Sequence, residues 1–190
     1  MSSSSAKNIK VTRLLEDLNS GIESKVSAAI KSLQSNGNLS VIEPMVILLT
    51  KEITTNNRKE IIEFLSTLNV SDAIEEIMRI LKHEKYLTLR PLLLTTIWNS
   101  KLDYSFFLAD FVEIAVDGTF METLECLTIL ENMEGPFEER HILEAQLHLR
   151  DYLEADDKNK DERKASLISE IALLIKDFNE MDDDDISIYE

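Results

Sequence analysis

"RKEIIEFLSTLNVSDAIEEIMRILKHEK", residues 58–85, carries two apolar rhythms either side of Asn69-Val70-Ser71. Ile61, Ile62, Leu65 and Leu68 come before the break, and Ile74, Ile77, Met78 and Leu81 after it. Each set recurs at intervals of three and four, which places one apolar stripe on a helix with polar residues opposite. The stretch predicts a short helix, a sharp turn and a second short helix. A lone hairpin of that size is marginal in water, so its stripe needs neighbours to bury it.

The rest of the chain repeats the pattern. Ser20-x-x-Glu23, Ser40-x-x-Glu43, Asn57-x-x-Glu60 and Thr119-x-x-Glu122 have the form of capping boxes, in which each side chain satisfies the other's free backbone N–H. The four glycines all lie between apolar-periodic segments. Pro91 and Pro136 fall where a first helical turn would begin, a position at which proline's missing N–H costs nothing. Pro44 belongs to a first turn if Ser40 is the cap and otherwise bends a helix. These marks predict helices near 7–19, 22–35, 40–55, 58–69, 72–85, 88–99, 103–117, 119–133, 136–155 and 161–179.

Tight junctions near Gly37, Val70, Lys101 and Gly135 recur every 31 to 34 residues. A helical hairpin at such a period marks an α-solenoid, in which each unit buries its apolar face against its neighbours. Residues 89–98 are apolar almost all round, as suits a central unit. Residues 161–178 confine Leu167, Ile168, Ile171, Leu174, Ile175 and Phe178 to one stripe, as suits a terminal cap. The predicted organisation is a flexible start over 1–6, one solenoid domain over 7–179, and an acidic, disordered tail over 180–190.

The units at 25–50, 58–84, 88–115 and 121–149 resemble those of the HEAT/armadillo-type α-solenoids. The shared features are helical apolar spacing, short turns and an early proline at Pro91. The resemblance implies an all-α, short right-handed superhelix of about four to five antiparallel helix hairpins. It also implies a protein-binding scaffold more often than an enzyme, an inference that rests on fold analogy.

Composition narrows the partner. The formal charge is −16, and seven acids with no Lys or Arg fall in the last fourteen residues, which leaves −9 on the remainder. Affinity for nucleic acid comes largely from Lys and Arg at phosphates. The expected partner is therefore a basic protein or peptide, with no nucleic acid and no membrane. The longest apolar runs are far short of the about twenty residues that span a bilayer. The start "MSSSSAKNIK" lacks a signal peptide's apolar core, and the expected location is cytoplasmic. Cys126 is the only cysteine, so neither an internal disulfide nor a cysteine-based zinc site is expected.

In the HEAT-like arrangement, second helices line the partner-facing side. Applied here, that side draws on Glu75, Glu76 and Arg79, then Asp103, Asp110 and Glu113, then Glu138, Arg140 and Glu144. Phe106 stands among these acids, opposite the stripe of its own helix, and is the candidate interface anchor. The plainer readings are a solvated acidic face and a phenylalanine covered by the next hairpin.

His141, Glu144 and His148 share one side of a helix, but no H-E-x-x-H motif or fourth ligand accompanies them. The sequence therefore predicts no metal site, cofactor or catalytic residue. Cys126 reads as a buried small hydrophobe. The alternative to a binding scaffold is an enzyme using Asp103, Asp110 or Glu144 as acid or base in a pocket between helices. In the tail, Ile186, Ile188 and Tyr189 beside four aspartates form a candidate strand for a partner's sheet edge.

Overall fold

The computed structural model describes residues 2–36, 39–155 and 161–186, with side chains over 10–34, 39–155 and 161–179. The fold is all-α among these residues, with ten α-helices. They are α1 (Ser2–Leu18), α2 (Glu23–Asn36), α3 (Ile42–Leu49), α4 (Thr55–Ser66), α5 (Ala73–Lys82), α6 (Arg90–Trp98), α7 (Leu108–Asp117), α8 (Phe120–Glu131), α9 (Glu139–Glu154) and α10 (Glu162–Ile186). Short 3-10 turns at Leu39–Val41, Glu84–Leu89 and Ser105–Phe107 lead into α3, α6 and α7. The chain divides into two compact units, Met1–Leu102 and Asp103–Glu190, beside the junction expected near Lys101.

The opening stretch becomes α4 and α5. Ile61, Phe64 and Leu65 are buried on α4, and Ala73, Ile77, Met78, Ile80 and Leu81 on α5, while Val70 at the turn between them is exposed. In the first unit α1 packs on α2, α3 on α4, and α5 on α6; α2 also packs on α4, α4 on α6, and α3 on α5. In the second unit α7 packs on α8 and α9, and α10 on α8, α9 and α7. Every helix except α1 thus packs both on a sequence neighbour and on a helix two places away within its unit.

The phase of the pairing differs from the sequence reading by one helix. The sequence joins α4 to α5 and α8 to α9, but neither pair is among the closely packed ones. The turns that close hairpins are instead those after Leu18, Leu49, Lys82 and Asp117. Periodic spacing gives the length of a repeat and leaves open which of two alternating turns closes a hairpin. The junction at Gly37 lies outside the described residues.

Local signals were legible unevenly. Thr119 and Glu122 form the expected capping box, with the Thr119 amide donating to Glu122 Oε2 at 2.6 Å. At α4 the cap is Thr54, whose Oγ1 accepts from the Asn57 amide at 3.2 Å. Asn57 turns inward instead of capping, is only 2 % exposed, and donates to the Glu23 carbonyl of α2 at 3.3 Å. Helix α3 starts after a 3-10 turn with no side-chain cap, and Pro44 lies in its first turn. Helix α9 begins at Glu139, beyond Pro136, after Glu138 in extended conformation, and Gly135 before the proline has φ +67°, which glycine adopts without steric cost. Helix α10 continues through Ile186, past the end expected at 179; Ser187, Ile188, Tyr189 and Glu190 lie outside the described residues.

Candidate functional site

In the second unit the ten-residue helix α7 lies against α9, and the 3-10 turn Ser105–Phe107 sets the angle at which the chain enters α7. Asp103 fixes that turn, its Oδ1 accepting from the Ser105 amide at 2.9 Å and from the Ser105 hydroxyl at 2.5 Å. One expected partner-binding carboxylate is therefore engaged in local structure, although it remains exposed.

The turn presents Phe106 outward at 60 % exposure. Its ring meets His141 of α9 edge-on, with centroids 5.6 Å apart and planes at 66°. His141 is half-buried, and its Nε2 is buried without a hydrogen-bond partner among the described residues. The phenylalanine is thus supported from one side and open on the other. Asp110 and Glu113, four and seven residues on, are half-buried on the same side of α7. On α9, Arg140 pairs with Glu138 at 2.7 Å, and Glu144 is exposed.

Sequence reasoning missed two exposed apolar residues of α9. Leu143 and Leu147 are about half exposed on the outer side of α9, away from the buried Ile142, Ala145 and Leu149. Their four-residue spacing off the buried stripe was the available signal. Opposite signs of charge flank them, since Arg140, Glu144 and Arg150 are also exposed on α9.

Glu75, Glu76 and Arg79 belong to the first unit, on α5. The Arg79 guanidinium donates to Glu76 from Nε at 2.9 Å and to Glu43 of α3 from Nη2 at 2.8 Å. Glu43 also accepts the Tyr86 hydroxyl at 2.7 Å. That bond, with Arg79 alongside, holds Glu43 below the usual carboxylate range against the opposing effect of burial. Burial and the neighbouring carboxylate push Tyr86 upward. Arg79 thus joins α3 to α5, while Glu75 remains exposed.

A second polar network joins α2 to α4 in this unit. Glu60 is opposed by burial, yet it is held below its ordinary value by the Ser27 hydroxyl at 2.5 Å, the Asn57 amide at 3.1 Å and Lys31 at 3.4 Å. In the second unit, burial lowers the Lys164 ammonium, which donates to the Val116 and Gly118 carbonyls at 2.6 and 2.7 Å. Lys164 therefore ties α10 to the C-terminal end of α7, where carbonyls lack helical partners.

No group of three or more His, Cys, Asp or Glu side chains suited to a metal ion occurs among the described residues. Cys126 is fully buried on α8. Among the described residues, cavities of about 360 and 180 Å³ open in the first unit, and neither is lined by Asp103, Asp110 or Glu144. No helix among the described residues is long and apolar enough to cross a membrane.

No family model, curated protein or solved structure matches this chain. Its own geometry therefore carries the functional reading.

Proposed function

We propose that the protein is a non-enzymatic binding module, a short HEAT-like α-solenoid that recruits a basic protein or peptide to an acidic face. Packing of every helix but α1 on a neighbour and on a helix two places away, within each unit, supports the solenoid reading. The charge of −16 supports a basic partner. The observation that carries the proposal is Phe106, a large aromatic at 60 % exposure in the turn that leads into α7, the helix that bears Asp110 and Glu113.

An exposed ring backed by another aromatic is already ordered before binding, so less entropy is lost when a partner covers it. Surrounding carboxylates steer a cationic partner in and favour it over anionic competitors. An inhibitory, immunity-type protein that masks a basic toxin is one form of this function, acting in the cytoplasm. Asp110 and Glu113 belong to the face, while Asp103, Glu76 and Arg79 contribute through the backbone turn and helix contacts they hold.

The test begins with affinity purification from native extract at low salt. Partners recovered in this way are then measured as purified proteins against the wild type and Phe106→Ala. Loss of an anchoring aromatic costs about 2 kcal/mol or more, roughly a thirtyfold weaker complex. Affinity should also fall steeply with salt, since exposed charges are screened beyond about 8 Å at physiological ionic strength. An affinity indifferent to both Phe106→Ala and ionic strength refutes the proposal.

A further inference from the structure

The larger cavity, about 360 Å³, opens in the first unit where the α1–α2 and α3–α4 turns come together. Its volume is near the lower end for ligand sites, enough for one long side chain. Leu18, Val26, Leu48 and Ile53 give it apolar walls, and the first three are buried. Three charged residues line it: Glu23, Glu52 and Lys51. Lys51 is already engaged, its Nζ donating to Asn19 Oδ1 at 2.8 Å. Neither the Glu23 nor the Glu52 carboxylate has an ion-pair or hydrogen-bond partner among the described residues, and both are exposed.

An apolar slot edged by two unpaired carboxylates suits a group that is aliphatic along its length and cationic at its tip. Lysine and arginine side chains have that form, since their methylene stems cover apolar surface while the charged head stays at a polar edge. From this geometry we infer that the cavity is a receptor for a single arginine or lysine side chain of the basic partner. The stem lies against Leu18, Val26, Leu48 and Ile53, and the head lies between Glu23 and Glu52. The inference rests on the proposed recruitment of a basic protein and concerns the first unit alone. A partner carboxylate seated on Lys51 is the opposite choice, disfavoured because two carboxylates line the cavity against one ammonium.

The test uses the full-length protein with methyl-labelled leucine, isoleucine and valine, titrated with n-butylguanidinium and with the peptide acetyl-Gly-Arg-Gly-amide. Both probes should shift the methyl resonances of Leu18, Val26, Leu48 and Ile53 in a saturable way. Glu52→Lys should weaken both at least tenfold while leaving the rest of the spectrum unchanged. Phe106→Ala should leave the titration unaltered, so failure at this cavity and failure at the Phe106 face are scored separately. Pentanoate or n-butanol producing equal shifts overturns the inference, because the carboxylates would then confer no preference for a cation. Absence of a saturable shift with the arginine peptide overturns it as well.

Discussion

The two units differ in charge, +2 over Met1–Leu102 and −18 over Asp103–Glu190, and their charged groups hold them together differently. In Met1–Leu102, carboxylates hold helices to one another: Glu43 ties α3 to α5 through Arg79 and to Tyr86, and Glu60 ties α4 to α2 through Ser27. In Asp103–Glu190 a cation makes the long-range tie, Lys164 reaching the Val116 and Gly118 carbonyls from 48 and 46 residues away. Stacked rings add to it, with Phe137 and Phe178 4.2 Å apart. Carboxylates engaged between helices are poorly placed to meet a partner. In the proposed function it is the second unit, acidic and with Phe106 and Glu144 exposed, that presents the recruiting face.

The comparison breaks most readily at the core. Phe111 is fully buried and meets Tyr104 edge-on at 6.0 Å. Phe111→Ala should cost about 3–5 kcal/mol in urea unfolding, with near-UV signals of the second unit lost first. Simultaneous loss of both units' signals would show that the units are one cooperative body.

Next in size is Lys164→Met. It leaves two carbonyls at the end of α7 without their donor and should cost about 1–3 kcal/mol. A change below about 0.5 kcal/mol would mean that water replaces the ammonium at no cost.

Tyr86→Phe is expected to be milder, about 1 kcal/mol, because Arg79 still holds Glu43 near the surface. It also sharpens the electrostatic side of the comparison. Glu43 and Glu60 titrate lower in the folded state than their ordinary value of 4.5. The unfolded chain therefore takes up protons first as the pH drops, and the stability these groups give is lost below about pH 4.5. Urea midpoints measured from pH 7 to pH 3 should fall in that window, and less so in Tyr86→Phe. A variant as acid-sensitive as the wild type would remove Tyr86 as the cause of the lowered Glu43.

The smallest expected change in stability is that of Phe106→Ala, within about 0.5 kcal/mol, since the ring is mostly exposed. A larger loss would make Phe106 a packing residue and weaken the contrast between the units.

Ten helices were legible because apolar spacing, capping residues and turn residues are local signals. The Thr119–Glu122 box is the clearest case. Asn57 misled because the same residue type caps a helix or fills a buried polar site, and only contact with Glu23 of α2 decides between them. Hairpin phase was hidden by the repeat's periodicity. Arg79 and Lys164 were hidden by distance, since Glu43 is 36 residues from Arg79 along the chain. The exposure of Phe106 was expected from a helix over 103–117, whereas the residue lies in the 3-10 turn before α7. Its support by His141 became visible only when α9 was placed beside α7.

A backbone-amide titration of the protein with a lysine- and arginine-rich peptide at low salt tests the claim of a specific acidic recruitment face most directly. The account predicts saturable shifts concentrated around Phe106, Asp110, Glu113 and Glu144, with affinity reduced by Phe106→Ala. Shifts scattered over every exposed carboxylate, and unchanged in Phe106→Ala, would contradict it.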